Sequence, residues 1–191
     1  MTDPVEADLV ARARAGNFFA FEEIVKRHQR RVYGVAWRIL RRHDLADDVT
    51  QETFIRAHRF LHDFDLGRPF GPWVCRIAAN LAVNRLRSPE RREEALDDRQ
   101  HAAPASSGDP LAGLLEKEAQ AVLDRALDEL PPEQRAVFVL RVSEELSYRE
   151  IAEALGLSMG TVMSRLWRAR ARLRHLLLPY LTEARAARGA P

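Results

Sequence analysis

The stretch Ser147–Leu166, SYREIAEALGLSMGTVMSRL, restricts the fold more than any other part of the sequence. Ser147 and Glu150 stand in S-x-x-E order, in which the serine accepts an amide proton three residues on and the glutamate reaches back. That pair fixes where a helix begins. Ile151, Ala152 and Leu155 supply its inner face. Gly156 then stands where the chain must turn, a position that often needs positive φ. Ser158 caps a second helix, with Val162, Leu166 and Leu173 along its inner side. Ala152 is small where the two helices cross. The order predicts a helix-turn-helix rather than an ordinary helical hairpin, with its second helix suited to the DNA major groove.

The outer face of that second helix offers Ser158, Thr161, Ser164, Arg165 and Arg168, short polar groups and forks suited to base edges and phosphates. Arg170, Arg172 and Arg174 continue toward the backbone. Five arginines fall within residues 165–174 and no acid interrupts them. Trp167 is expected to pack in the core rather than touch DNA.

The rest of the chain repeats the helical period. Asp3, Pro4 and Glu6 form a helix start, with Glu6 reaching back to the cap. Asn17 caps a second helix with Phe21, Ile24, Val25, Val32, Val35, Ala36 and Ile39 on one stripe. Asp44 caps a third, to about Leu61. Two glycines and two prolines in DFDLGRPFGP (63–72) break the pattern, and Pro72 suits the first turn of a fourth helix carrying Trp73, Ile77, Ala78, Leu81 and Leu86. Residues 88–110 are rich in charge, Pro, Ser and Ala, which reads as a flexible linker. Helices resume near Leu111, and LPP at 130–132 separates two of them. No β-alternation and no internal repeat interrupts the scheme. The fold class is therefore all-α: domains at 1–87 and 111–180, a linker at 88–110 and a disordered tail at 181–191.

Charge narrows the function. The net charge of +2 hides an acidic stretch after Arg42 and a basic one after Leu166. Such asymmetry suggests partners of opposite sign. Lysine occurs only at 26 and 117, so the cations are nearly all arginine. That fits phosphate recognition, and it fits equally a genome rich in arginine codons. Cys75 is the single cysteine, so neither an intrachain disulfide nor a cysteine-based zinc site can form, and a cytoplasmic setting is expected. No signal peptide, metal or cofactor is expected.

DLADDVTQETFIRAHR (44–59), PFGPWVCRIAANLAVNRLR (69–87) and the run from Leu127 to Arg174, in this order, resemble the extracytoplasmic function (ECF) sigma factors of the sigma-70 family. The resemblance spans nearly the whole chain apart from linker and tail. It implies a non-enzymatic transcription-initiation factor that binds core RNA polymerase through its β′ and β subunits and recognises promoter −10 and −35 elements, in a stress or envelope response. An anti-sigma factor is an expected partner. It implies that Asp47, Asp48, Gln51 and Glu52 face a basic coiled coil of β′, with Phe54 and Ile55 divided between contact and core and Phe54 counted among the polymerase-binding residues. It assigns −10 recognition and melting to Asp65, Phe70, Arg76, Asn80, Asn84 and Arg87, and −35 recognition to Ser158, Thr161, Ser164, Arg165, Arg168 and Arg172. Stacking supports melting, since each base held on an aromatic platform gains about 1–3 kcal/mol. Trp73 is expected in the core.

Two other classes fit the sequence less well. His43-Asp44 with Asp47, Asp48 and Glu52 is the beginning of a metal phosphohydrolase site, but no second histidine cluster, Gly-rich loop or nucleophile elbow completes it. A ligand-controlled transcription factor needs a sensor domain, and residues 1–87 lack the strand pattern of one.

Overall fold

The computed structural model describes residues 4–87 and 110–188, with side chains over 5–87 and 119–182. Its elements are α1 (Pro4–Arg14), α2 (Phe18–Leu40), α3 (His43–Arg59), a 3-10 turn (Leu61–Asp63), α4 (Phe70–Arg87), α5 (Pro110–Asp128), α6 (Pro132–Val142), α7 (Tyr148–Leu155) and α8 (Met159–Arg188). No strand occurs among the described residues. The linker reading at 88–110, apart from Pro110 at the start of α5, and the Asp3 cap lie outside them.

Local chemistry sets several helix ends. Asn17 is extended, and its side-chain oxygen accepts the Ala20 N–H at 3.1 Å, which starts α2. Ile24, Val32, Val35, Ala36 and Ile39 are buried along the predicted stripe. α2 ends at Arg41, a left-handed residue at φ 57° whose N–H bonds the Trp37 carbonyl. A non-glycine residue in that conformation is uncommon. Here its guanidinium lies 3.9 Å over the Trp37 ring and meets two acids described below.

Two expectations change. Asp44 does not cap α3; the helix begins at His43, and Asp44 sits in the first turn paired with Arg42 at 2.6 Å. The hydrogen bond from Arg42 holds its carboxyl below the usual range. Glu6 also ties α1 to other elements. One oxygen bonds the His28 ring nitrogen at 2.6 Å and the other accepts the Phe70 N–H at 3.3 Å, so α1 clasps the first turn of α4. Finally, α8 runs through Pro179 to Arg188, where a disordered tail was expected from residue 181.

α2 packs on α1, α3 and α4, while α8 packs on α5, α6 and α7. These are the two expected helical halves, but they do not stand apart. α6 lies against α2, and α6 and α7 lie against α4. One apolar cluster runs from Leu9 to Leu166 through both halves. A second cluster of Ala126, Leu127, Leu130, Ala169 and Leu173 joins α5 to α8.

Polar groups lock this seam. Arg41 pairs with Asp128 and, at 3.3 Å, with the buried Asp124. Arg135 is buried; it donates to the Ile39 carbonyl at 3.0 Å and the Leu127 carbonyl at 3.3 Å. Burial and the neighbouring Arg41 push its guanidinium down to about 10, so it stays charged at neutral pH. Arg31 bonds the buried Glu144 at 2.8 Å. Gly71 matters there, because a Cβ at that position would lie 2.5 Å from an Arg31 guanidinium nitrogen. Cys75 is fully buried beside the same pair, and burial together with Glu144 raises its thiol pKa far above the ordinary value.

Candidate nucleic-acid interface

The predicted helix-turn-helix is α7 and α8. Ser147 and Glu150 complete both halves of the capping box, with the Glu150 N–H on Ser147 Oγ at 3.3 Å and the Ser147 N–H on Glu150 Oε2 at 2.9 Å. Those bonds, backbone first, hold the Glu150 carboxyl below the usual range. Gly156 is left-handed at φ 62°, and its N–H bonds the Ala152 carbonyl. Ser158 accepts the Thr161 N–H at 3.1 Å and opens α8. Val162, Leu166, Ala169 and Leu173 are buried, so the opposite side of α8 faces outward.

That outer side divides its work. Ser158 and Thr161 share a hydroxyl contact at 2.8 Å, and Ser164 bonds the Thr161 carbonyl at 3.1 Å. These three groups shape the first turns of α8 and remain at its surface. Arg168 is exposed and Arg165 half-buried. No ion pair to either occurs among the described residues. Arg172 reaches Glu129 at 3.8 Å. Trp167 contradicts its predicted core role: it is 71% exposed. Leu166 and Leu173, seven residues apart, share the inner face of α8, and a step of about 100° from Leu166 carries residue 167 off that face.

The α4 face is differently occupied. Asn80 donates its amide to the Ala154 carbonyl of α7 at 2.8 Å and accepts from Asn84 at 2.8 Å. Arg76 lies 3.8 Å from Glu150. Arg87 is exposed. Asp65 stands in the exposed loop before α4, where it accepts the Gly67 N–H at 2.9 Å and approaches Arg68 at 3.5 Å. Phe70 does not lie on this surface. It is among the largest fully buried side chains, set against Phe64 and Trp73 at ring distances of 5.5 and 5.2 Å. Its position at the start of α4, under α1, makes it a core residue. Trp73 is half-buried, packed on Phe64 at 4.9 Å with one edge in a crevice of about 500 Å³.

That crevice brings Arg76, Asn80 and Trp73 together with Arg56, Phe60 and Arg68. The last three were not anticipated as site residues. Arg56 and Phe60 come from the end of α3, so only the crossing of α3 over α4 joins them to the site. A surface that combines guanidinium groups, an amide and ring edges can hold a phosphate and a planar base together.

On α3, Asp47, Asp48 and Gln51 are exposed and Glu52 is half-buried, so the four share an outward face. Asp48 approaches Arg85 at 3.7 Å, and Glu52 bonds Arg56 at 2.7 Å. Phe54, expected among the polymerase contacts, is instead buried in the core, and Ile55 is 56% exposed, so Ile55 is the apolar residue this surface presents. The carboxylates do not form a metal site. His43 is taken by the Tyr33 hydroxyl at 2.5 Å and Asp44 by Arg42. No cluster of three metal-ligating side chains occurs among the described residues. No described helix is long and apolar enough to cross a membrane.

Comparison with known proteins agrees with this layout. A family model for Sigma-70 region 2 matches residues 24–93, and one for Sigma-70 region 4 matches residues 120–173. The ECF RNA polymerase sigma factor SigE of Mycolicibacterium smegmatis is 40% identical over 165 residues, which cover 86% of this chain and 64% of that protein. The chain therefore spans just under two thirds of that relative's length. The RNA polymerase sigma-H factor of Pseudomonas aeruginosa is 34% identical over 192 residues, covering 96% of this chain and 100% of that protein. Among solved structures, CnrH in complex with the cytosolic domain of CnrY is similar at a TM-score of 0.60 and 31% identity, covering 90% of this chain and 96% of its own. RpoE of Bartonella quintana, in complex with the anti-sigma factor NepR, reaches a TM-score of 0.61 at 26% identity, over 82% of this chain and 96% of that one.

Proposed function

The chain belongs to the sigma-70 family, within its extracytoplasmic function group of sigma factors, and on that premise we propose that it carries core RNA polymerase to promoters through three separate surfaces. An ECF sigma factor acts in transcription initiation and is not an enzyme. The outward acids of α3, with Ile55, dock on the β′ subunit. The α4 face, with Arg76, Asn80, Asn84 and Arg87 and the loop at Asp65, binds and helps open the −10 element. α8 reads the −35 element with Ser164, Arg165 and Arg168, while Ser158 and Thr161 fix its entry and Arg172 meets phosphate. The β subunit is a second polymerase contact, and an anti-sigma factor, as in the RpoE–NepR complex, holds the chain inactive until a stress or envelope signal.

One observation carries the reading: a single chain presents an acidic face and a basic helix on different elements, in the order that regions 2 and 4 prescribe. Charge pairing of the first kind chiefly sets register and association rate. Arginine contacts of the second kind supply phosphate affinity and base discrimination.

Run-off transcription with purified core polymerase on a promoter library tests it. The expected result is initiation at defined positions downstream of a shared pair of elements. Failure to join core polymerase, or initiation at random positions, overturns the reading. Asp48→Arg sharpens it. The site is exposed, so the fold should persist while affinity for core polymerase drops at least tenfold; unchanged affinity would move the docking surface off α3.

A further inference from the structure

The loop at 65–69, assigned above to the −10 element, is gripped at both ends by α1, a helix that none of the three proposed surfaces uses. The loop runs between two buried rings, Phe64 and Phe70, and exposes Asp65, Gly67, Arg68 and Pro69. The Asp65 carboxylate accepts the Gly67 N–H at 2.9 Å and its carbonyl accepts the Arg68 N–H at 3.0 Å, so the turn has a shape of its own. α1 governs where that turn sits. Arg14 Nη1 donates to the Phe64 carbonyl at 3.5 Å, where the loop begins. Glu6 Oε2 accepts the Phe70 N–H at 3.3 Å, where the loop ends and α4 begins.

The second grip answers a local need. The Phe70 N–H is one of the orphan amides at the start of a helix, and Pro69 before it has no side chain that can cap. A carboxylate borrowed from another helix fills that place and suits the positive end of the helix dipole. His28 holds the same carboxylate through Nε2 at 2.6 Å. The other ring nitrogen, Nδ1, has no hydrogen-bond partner among the described residues, so the polar contact of this buried ring goes to Glu6. α1 itself is anchored on the core by Leu9, Val10 and Ala13. Glu6 and Arg14 stand eight residues apart, about 12 Å along the helix. Two grips so separated fix the direction of the loop as well as its place. We propose that Glu6 and Arg14 are positioning residues for promoter opening, through which α1 holds loop 65–69 where an unpaired −10 base arrives. This rests on the assignment of that loop to the −10 element.

Base discrimination is the readout, because a merely structural loss scales every affinity alike. Full-length protein in holoenzyme is titrated with forked promoter DNA in which the −10 bases of the unpaired strand are removed one at a time as abasic sites. In the wild type, loss of the captured base should weaken binding about five- to a hundredfold. Glu6→Ala should shrink that penalty to about twofold, since a displaced loop no longer meets the base. Arg14→Ala should shrink it less. Affinity for core polymerase and for duplex −35 DNA should stay at the wild-type level in both. Glu6→Gln keeps an amide oxygen for the Phe70 N–H and should restore most of the penalty. An undiminished penalty in both alanine variants overturns the proposal. So does an equal loss of affinity for core polymerase and for every DNA in both, which leaves α1 a purely structural helix. Arg14 is exposed, so its variant decides the matter even where Glu6→Ala weakens the fold. A flat wild-type scan, or a penalty that Asp65→Ala leaves untouched, removes the loop assignment and the proposal with it.

Discussion

The α4 face and the α8 face are both offered to DNA, yet one is occupied by the chain itself and the other is open. Asn80 spends its amide on Ala154, and Arg76 turns toward Glu150. Arg165 and Arg168 have no ion-pair partner among the described residues, and Trp167 meets solvent. The two faces therefore differ in what a promoter must displace. On α8 it meets Arg165 and Arg168, which no described carboxylate holds. On α4 it competes with a hydrogen bond and an ion pair that tie one half of the molecule to the other. Each such contact is worth little by itself, about 0.5–1.5 kcal/mol for the hydrogen bond. The lever lies elsewhere on the seam, at Arg41 and Arg135.

The largest test removes that lever. Arg41→Ala leaves Asp124 buried without its cation, and loss of one partner of a buried pair costs about 3–5 kcal/mol. The denaturation midpoint should fall and small-angle scattering should show a larger chain; an equally compact and stable variant would break the contrast between covered and open faces. Next comes the open side. Arg165→Ala should weaken promoter binding by about 1–3 kcal/mol at one base position, read by competition among single-base variants. Equal loss on every sequence would make it a phosphate contact.

Asn80→Ala sharpens the covered side. It should cost the seam about 1 kcal/mol and impair transcription from duplex promoters more than from pre-melted ones. Equal impairment on both would leave Asn80 a purely internal group. The smallest effect is the pH response of α7. Because its folded-state pKa is depressed, Glu150 contributes stability above the ordinary carboxylate range and loses it as pH falls through the folded value. Glu150→Gln should flatten the acid limb of a stability–pH curve, with a loss near neutrality of about 0.5–1 kcal/mol. An unchanged limb would detach the cap from the acid response.

The sequence made the caps legible because they are local. Ser147 and Glu150, or Asn17 and Ala20, lie three residues apart, so their chemistry needs no knowledge of the fold. The stripe of α2 was equally readable from its period. What could not be read was direction where two candidates adjoin. Phe54 and Ile55 are both apolar, and only the placement of neighbouring helices decides which turns inward. Phe70 looked like a loop residue, and its burial depends on α1, which reaches it through Glu6 across 64 positions. The closed seam was invisible for the same reason: the Arg135–Ile39 contact joins residues 96 apart. No pattern in either segment announces it.

The burial of Cys75 gives the molecule a built-in stopwatch. It is the chain's sole thiol, and it sits where Arg31 meets Glu144 across the junction of the halves. A maleimide can reach it only during excursions that part those halves, so its alkylation rate clocks them without any engineered label. Polymerase or promoter that holds the halves apart should speed the reaction, and a ligand that clamps them shut should slow it.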